Sequence, residues 1–163
     1  MALARGKIIT LKEAGGLARQ YHSAGQRLVL TNGHFDLLHV GHALYLEQAR
    51  QMGDVLFVGV NSDASTATLK GANRPIVPAS ERALLLTCLR SVDYAIVFEG
   101  ETAVELVKAI RPDFYVKGGD YTLDSLPEAK AAIEIGATVR FVPLSPGRST
   151  SLLIDRILSL HHK

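Results

Sequence analysis

The chain has 163 residues, a length that fits a single domain. Its 18 Lys and Arg residues against 16 Asp and Glu residues give a formal net charge of +2, which is too balanced to indicate nucleic acid or an anionic membrane as a partner. Hydrophobic residues make up 47% of the chain and charged residues 21%, so a globular domain is expected and a disordered chain is excluded.

The sequence lacks the features of membrane and secreted proteins. No apolar run approaches the roughly 20 residues that span a bilayer. The start of the chain, MALARGKIIT, has no continuous apolar core that could act as a secretory signal. Cys88 is the one cysteine, which excludes an internal disulfide and a zinc site built from several cysteines. We therefore expect a cytoplasmic protein with neither nucleic acid nor a membrane among its partners.

Two kinds of hydrophobic pattern alternate along the chain. Short runs rich in β-branched residues predict strands, and the longer stretches between them predict helices. In chain order the prediction is a helix at 11–23, a strand at 28–31, a helix at 42–52, a strand at 55–60, a helix at 80–89, a strand at 94–98, a helix at 102–110, a strand at 114–116, a helix at 127–135, a strand at 138–142 and a helix at 149–160.

The predicted strands are apolar without alternation, which is typical of a parallel sheet covered on both faces. The sequence thus predicts an α/β, Rossmann-like fold, with a mainly parallel five-stranded sheet and helices on both faces. We expect one domain over residues 1–163, with an N-terminal helix at about 10–25 packed on it.

The longest predicted irregular stretch covers residues 62–79. It contains one glycine and one asparagine, which favour turns, and two prolines. A loop of that length inside a compact domain is usually functional. In sheets of this kind, ligands bind beyond the carboxyl ends of the strands. We therefore expect the functional residues just after each strand.

The first strand runs into the segment T-N-G-H-F-D-L-L-H-V-G-H, residues 31–42. Gly33 permits a tight turn, and Gly41 lets a bulky anion approach the backbone closely. His39 and His42 flank Gly41 where the next helix begins, and a helix start offers free N–H groups and a partial positive charge. The two imidazoles can also donate hydrogen bonds to phosphate oxygens. This arrangement predicts a site for a polyphosphate that is cleaved or transferred.

Other interpretations of this segment stay open at this point. Two histidines three residues apart are, taken alone, as often surface or core groups as ligands. A zinc site is a second possibility, because histidine and aspartate side chains bind zinc and the segment contains His34, Asp36, His39 and His42. The strand–glycine–helix context nevertheless fits phosphate better. No G-x-x-x-x-G-K-S/T segment occurs, which excludes a P-loop, and the G-x-G-x-x-G fingerprint of dinucleotide-binding folds is absent too.

Residues 33–42, G-H-F-D-L-L-H-V-G-H, resemble the G-x-F-D-x-x-H-x-G-H signature of the nucleotidyltransferase superfamily, which includes cytidylyltransferases and adenylyltransferases. Further segments resemble the adenylyltransferase branch of ADP-heptose synthesis, which joins heptose 1-phosphate to AMP. These segments are N-S-D-A-S-T at 61–66, L-K-G at 69–71, R-P-I-V-P at 74–78, E-R at 81–82, V-K-G-G-D-Y at 116–121 and G-R-S-T-S at 147–151. The similarity follows nearly the whole chain in order, so it is more specific than the histidine motif alone.

The resemblance implies a reaction in which a phosphate oxygen of D-glycero-D-manno-heptose 1-phosphate attacks the α-phosphorus of ATP in line and pyrophosphate leaves. Such a transfer needs positioning and charge neutralisation rather than a covalent intermediate. Mg²⁺ is expected with ATP, and no protein side chain is assigned as its ligand. Relatives form dimers or larger homo-oligomers, and many carry a sugar kinase. Since 163 residues leave no room for one, we expect a separate kinase to supply the sugar 1-phosphate.

The resemblance also implies which residues form the site. The catalytic residues are expected to be His39, His42, Lys70 and Arg82. The nucleotide site is expected to comprise Asn32, Gly33, His34, Phe35, Asp36, His39, Gly41, His42, Gly118, Asp120, Ser149, Thr150 and Ser151. The acceptor site is expected to comprise Lys70, Asn73, Arg74, Lys117 and Asp120.

Several of these residues also have structural interpretations. Asp36 can cap or orient its loop as well as touch a ligand, and Ser149 can be only a helix cap. Lys70 and Arg74 can be solvated loop charges, whereas the resemblance places Lys70 on a loop that closes over the phosphates. Asp120 can contact either the nucleotide sugar or a metal ion.

Two positions depart from the related enzymes. His34 replaces the small or apolar residue usual in the signature, and Arg148 replaces an apolar residue before the Ser-Thr-Ser run. The Arg-Thr-x-Gly stretch of related cytidylyltransferases is missing, and L-S-P-G stands at 144–147 instead. We therefore favour the adenylyltransferase. A cytidylyltransferase for glycerol 3-phosphate or a similar small phosphate, and a nucleotide-binding module without turnover, are the alternatives.

Overall fold

Five strands and seven helices alternate through the part of the chain that a computed structural model describes, residues 6–119, 121–143 and 147–161. Their order is α1 (Leu11–Ser23), β1 (Leu28–Gly33), α2 (Val40–Arg50), β2 (Val55–Asn61), α3 (Asp63–Lys70), α4 (Ala79–Thr87), β3 (Tyr94–Phe98), α5 (Val104–Ile110), β4 (Phe114–Gly118), α6 (Ala129–Glu134), β5 (Thr138–Val142) and α7 (Thr150–His161). The predicted alternation of strands and helices is confirmed.

The five strands form one parallel sheet in the order β3-β2-β1-β4-β5. β1 lies at the centre, where Leu30 is in register with Phe57 of β2 on one side and with Tyr115 of β4 on the other. The chain first moves outward from β1 through β2 and β3, and then returns past β1 to β4. Such a reversal leaves a crevice beyond the carboxyl ends of the strands, where ligands bind in folds of this kind. The predicted Rossmann-like parallel sheet is confirmed.

Each face of the sheet carries its own apolar core. Leu28 and Leu30 of β1 point to the face covered by α1, α5 and α6, whereas Val29 points to the face covered by α2 and α4. Because both faces are covered, β1 and β2 are buried at nearly every position, and this explains the absence of alternation in their sequences.

The stretch predicted to be irregular, residues 62–79, contains the helix α3, so that prediction was wrong for its first half. Ser62 caps the helix, since its hydroxyl oxygen accepts a hydrogen bond from the backbone N–H of Ser65 at 3.2 Å. Ser65 is buried, and its hydroxyl also accepts a hydrogen bond from the Asn61 amide at 2.9 Å. Ser and Thr are weak helix formers, so the local sequence signal was low and the buried contacts stabilise the helix. Lys70 is the last residue of α3 rather than part of a loop.

Tyr45 connects α2 to the centre of the sheet. Its hydroxyl donates to the carbonyl oxygen of Val116 in β4 at 3.1 Å and accepts from the Thr31 hydroxyl in β1 at 2.6 Å. All three residues are buried, so these bonds position the start of α2 relative to the ends of β1 and β4.

α7 closes the described part of the chain and buries none of its residues. Its apolar side chains, including Leu152, Ile157 and Leu160, are exposed. Within the ranges given above, no helix combines the length and the apolar character needed to cross a membrane.

Candidate active site

A cavity of about 530 Å³ lies beyond the carboxyl ends of β1 and β4. It collects most of the residues predicted to form the site, and these come from segments far apart in sequence. They are Asn32, Gly33, His34, Phe35, His39, Gly41, His42, Lys70, Lys117, Gly118, Ser149 and Thr150. Arg148, noted above as a departure from the related enzymes, also lines it. The placement agrees with the rule for ligand sites in parallel sheets.

The two histidines of the H-x-G-H segment stack at the start of α2. Their ring centroids lie 3.9 Å apart with 23° between the planes, and the Phe35 ring packs edge-on against His42 at 5.3 Å. His39 is the residue that caps α2, and its backbone N–H points to Nδ1 of His42 at 3.4 Å. Because Nδ1 of His42 accepts, the ring proton of the neutral imidazole belongs on Nε2, where it can be donated to a ligand.

Both imidazoles are held in the neutral form. Burial, followed by the neighbouring His39, lowers the pKa of His42 to about 4. Burial, followed by the positive charge of Arg148, also lowers the pKa of His39 below its usual value. Both shifts favour the neutral ring, which can donate a hydrogen bond without carrying a charge.

His34 lines the same cavity, and a hydrogen bond to α3 holds its ring in place. Its Nδ1 is 3.0 Å from the Thr66 hydroxyl of α3. Burial and then the nearby charges of Lys70 and Arg82 lower the pKa of His34 to about 4. The third histidine is thus a neutral group in surroundings that favour an anion.

Gly41 permits a close approach that no other residue could make. A Cβ built at this position would lie 2.9 Å from Cε1 of His39 and 3.1 Å from Cβ of Arg148. Gly41 therefore allows the start of α2 to lie directly against the segment that precedes α7. The Ser149 hydroxyl accepts from the backbone N–H of Leu152 at 3.2 Å, as expected of a helix cap. Two helix starts, each with free N–H groups, meet at one cavity.

Asp36 does not line the cavity and instead orients the neighbouring loop. It is 2% exposed, and its carboxylate accepts from the backbone N–H groups of Ile76 at 2.8 Å and Val77 at 2.9 Å and from the Arg74 guanidinium. Burial alone would raise the pKa of Asp36, but the bonds from Val77, Arg74 and Ile76 outweigh it and hold the pKa below its usual value. The structure therefore favours the loop-orienting interpretation.

Arg82 is also placed differently from the expectation that it reaches the phosphates. It is 1% exposed and does not line the cavity. Its guanidinium donates to the His34 carbonyl, to the Val77 carbonyl at 2.8 Å and to the Asp63 carboxylate at 2.7 Å. Since each of its three nitrogens donates to a protein acceptor, Arg82 connects the loop after β1 to α3 and α4.

The remaining predicted residues lie outside the cavity lining or beyond the described ranges. Asn73 is exposed on the loop between α3 and α4, and Arg74 on the same loop is paired with Asp36. Ser151 is exposed in the first turn of α7. Asp120 lies outside the described residues.

Sequence reasoning singled out Asn32 and Lys117 but missed their polar neighbours Tyr115 and Glu128. Lys117 Nζ and the Tyr115 hydroxyl both donate to Oδ1 of Asn32, at 2.8 Å and 2.6 Å. Glu128 lies beside them with its Oε1 accepting from the backbone N–H of Ala103 at 2.7 Å, and it lines the cavity. An acidic residue at a helix start carries no local signal of burial, so the sequence offered no reason to single out Glu128.

With this geometry established, the comparisons with known proteins identify the family. The chain matches the cytidylyltransferase-like family over residues 30–154, more than half of its length. The chain belongs to this family. The nucleotidyltransferase resemblance drawn from the H-x-G-H segment is thereby confirmed.

Relatives of this cytidylyltransferase-like chain include the bifunctional protein HldE of a Nitratiruptor species, 46% identical over 145 residues. A second is the bifunctional protein HldE of Geobacter sulfurreducens, 43% identical over 155 residues. These matches cover 88% and 95% of this chain but only 30% and 32% of the relatives, so the chain spans about a third of their length. The lipopolysaccharide core biosynthesis protein from Thermoplasma volcanium has a similar structure, with a TM-score of 0.60 and 33% identity over 74% of this chain and 98% of that one.

The cavity of this cytidylyltransferase-like protein suits the transfer of a nucleotidyl group. Imidazole donors and helix starts face a space that also receives the cations Lys70, Lys117 and Arg148. Such groups neutralise charge on a polyphosphate without forming a covalent bond to it. In the described part of the chain, no group of three or more His, Cys, Asp or Glu side chains is placed to hold a metal ion.

Proposed function

We propose that the protein transfers AMP from ATP to D-glycero-D-manno-heptose 1-phosphate and releases pyrophosphate. The observation that carries the proposal is the meeting of the His39–His42 pair with two helix starts in one cavity, an arrangement that binds a polyphosphate. The heptose branch is supported by the similarity to the HldE proteins along most of this chain. It is also supported by Lys70, Lys117 and Arg148, since the segments that resemble that branch bring all three to the cavity.

In this proposal the sugar phosphate attacks the α-phosphorus of ATP in line, and the bond to pyrophosphate breaks. The protein contributes position and charge neutralisation. His39 and His42 donate ring N–H groups to phosphate oxygens, and these bonds strengthen as charge builds on the leaving pyrophosphate. Lys70, at the end of α3, adds a compact positive charge.

The proposed nucleotide site keeps the residues that line the cavity and treats the others as supports. Its members are Asn32, Gly33, His34, Phe35, His39, Gly41, His42, Gly118, Ser149 and Thr150. Asp36 and Arg82 position the loops around it through the hydrogen bonds given above. The acceptor phosphate is proposed to contact Lys70 and Lys117, and Asp120 is proposed to contact the nucleotide sugar or a metal ion.

Mg²⁺ is proposed to enter with ATP, where it supplies charge neutralisation through phosphate oxygens and water. The polar groups that line the cavity fit this arrangement. Ser149 and Thr150 carry short hydroxyl side chains, which would hydrogen-bond to the water of a hydrated ion. A cytoplasmic location, a homodimer or larger assembly, and a kinase reaction that supplies the sugar 1-phosphate complete the proposal.

A cytidylyltransferase acting on a small polyol phosphate is the second candidate, favoured by the match to the cytidylyltransferase-like family. One screen separates the two. Pyrophosphate release is measured with ATP, CTP, GTP or UTP, each paired with the heptose 1-phosphate or with glycerol 3-phosphate in the presence of Mg²⁺. We expect release with ATP and the heptose phosphate, and near inertness with CTP and glycerol 3-phosphate. A preference for CTP or for the three-carbon phosphate would establish the second candidate instead.

A further inference from the structure

Glu128 carries a buried carboxylate oxygen without a partner in the cavity wall. The residue is 3% exposed and immediately precedes α6. Its Oε1 accepts from the backbone N–H of Ala103, at the start of α5, at 2.7 Å. Its Oε2 makes no hydrogen bond to any described residue. Buried polar atoms are almost always paired, so an unpaired carboxylate oxygen in a ligand cavity calls for a donor from outside the protein.

The polar groups beside Glu128 are already engaged with one another. The Tyr115 hydroxyl and Lys117 Nζ both donate to Oδ1 of Asn32. Burial, and then the Glu128 carboxylate, raise the pKa of Tyr115, while the same carboxylate opposes the lowering of the Lys117 pKa by burial. The Glu128 carboxylate is therefore a close neighbour of both side chains, and the shortest bond of the Tyr115 hydroxyl, at 2.6 Å, goes to Asn32.

The charge of Glu128 decides which part of a substrate it can face. A carboxylate repels phosphate, so the polyphosphate belongs beside the histidines and the cations of the cavity. A hydroxyl group donates readily to a carboxylate oxygen, and the bond is stronger than one between neutral groups. The residues that precede Glu128 in the cavity wall, Ser125, Leu126 and Pro127, carry no charge.

We propose that Glu128 is a specificity-determining residue that accepts a hydrogen bond from a hydroxyl of a sugar ring bound in the cavity. The proposal rests on the proposed function only in that both substrates carry such a ring, the ribose of the nucleotide and the acceptor sugar. Less than 1 Å² of Oε2 is open to water, so a hydroxyl that donates to it is shielded from solvent while Oε1 stays on the Ala103 N–H.

Glu128→Gln separates this role from the structural one. Glutamine keeps an oxygen acceptor for the Ala103 N–H and replaces the free acceptor with an NH₂ donor. We expect the midpoint of thermal unfolding to stay close to that of the wild type, and the KM or Kd of one substrate to rise about tenfold or more. Glu134→Gln, which makes the same change on the exposed end of α6, is the matched control.

Deoxy analogues identify which ring is bound. Binding of ATP, 2′-deoxy-ATP and 3′-deoxy-ATP is measured by calorimetry, and deoxy analogues of the sugar 1-phosphate are compared by KM. The wild type should bind one analogue about tenfold or more weakly than its parent, and Glu128→Gln should remove that difference. Because the ATP arm needs no acceptor, it remains interpretable if the heptose assignment fails.

Two results would overturn the proposal. One is a folded Glu128→Gln variant whose affinities for both substrates stay within twofold of those of the wild type, since Glu128 would then only cap α5. The other uses the wild type alone and so holds even if the variant does not fold. If every deoxy analogue binds the wild type as tightly as its parent compound, no sugar hydroxyl is recognised by a carboxylate such as Glu128.

Discussion

The imidazole rings of His39 and His42 are stacked with their centroids 3.9 Å apart. Gly41 lies between the two residues in sequence and allows the start of α2 to pack against the segment before α7. Burial lowers the pKa of both rings, and it is reinforced by Arg148 at His39 and by His39 at His42. In the proposed reaction the pair would meet phosphate as N–H donors, while the positive charge comes from Lys70, Lys117 and Arg148, which line the same cavity.

Replacing His42 should reduce turnover more than nucleotide affinity. His42→Ala removes a donor to charge that develops in the transition state, and the loss of one such donor costs about 3 kcal/mol, a hundredfold or more in rate. Affinity for ATP should fall less, because the bond strengthens only as pyrophosphate leaves. Steady-state kinetics and calorimetry measure the two effects, with His161→Ala on the exposed end of α7 as the control. Near-normal turnover of His42→Ala would contradict the phosphate role.

Gly41→Ala should reduce turnover although alanine favours helices. The added methyl would lie 2.9 Å from the His39 ring and 3.1 Å from Cβ of Arg148, so at least one of them must move away from the phosphates. Gly16→Ala is the matched control, since Gly16 lies inside α1 and an added Cβ meets nothing within 4 Å. That control should gain roughly 1 kcal/mol of stability with normal activity. If both variants keep full kcat, the tight approach at Gly41 has no functional role.

Asp36→Ala should destabilise the fold. The substitution leaves two backbone N–H groups and the Arg74 guanidinium without their acceptor, and removal of one partner of a buried ion pair costs about 3–5 kcal/mol. Urea unfolding should report the loss, with Asp124→Ala at an exposed position as the reference. A change under about 1 kcal/mol would mean that the loop holds its place without Asp36.

The buried histidines should make the protein less stable as the pH falls. The folded-state pKa values of His34 and His42 are about 4, below the ordinary value of 6.5. Between these values the unfolded chain binds more protons than the folded one, so the free energy of unfolding rises with pH. The stabilisation is complete above 6.5 and is lost progressively as the pH falls from 6.5 towards 4.

Urea unfolding at several pH values across this window tests the sign. Stability should decline on acidification, and the decline should be shallower when His34 and His42 are both replaced by Gln, because glutamine does not titrate. A His22→Gln variant, altered on the surface of α1, controls for the loss of a histidine elsewhere. The same slope in the double variant and the wild type would show that other groups cause the pH dependence.

Local sequence patterns were enough to predict the fold class and to single out the histidine segment of the candidate site. Strand and helix signals lie within a few neighbouring residues, and a sheet buried on both faces requires continuous apolar strands. The histidine motif was also readable, because His39, Gly41 and His42 lie within four consecutive residues at the start of α2.

Only the tertiary structure decided which charged side chains face the cavity. Arg82 is as suited to phosphate as Lys70 by residue type, yet acceptors on three separate segments hold it in the interior. The burial of Glu128 likewise depends on contact with Ala103, 25 residues away, across the starts of two helices. The helix α3 depends on the burial of Ser65 in the same way. Packing between residues far apart in sequence determines how strongly a side chain is solvated and which groups it contacts. Neither property can be predicted from the residues next to it in the sequence.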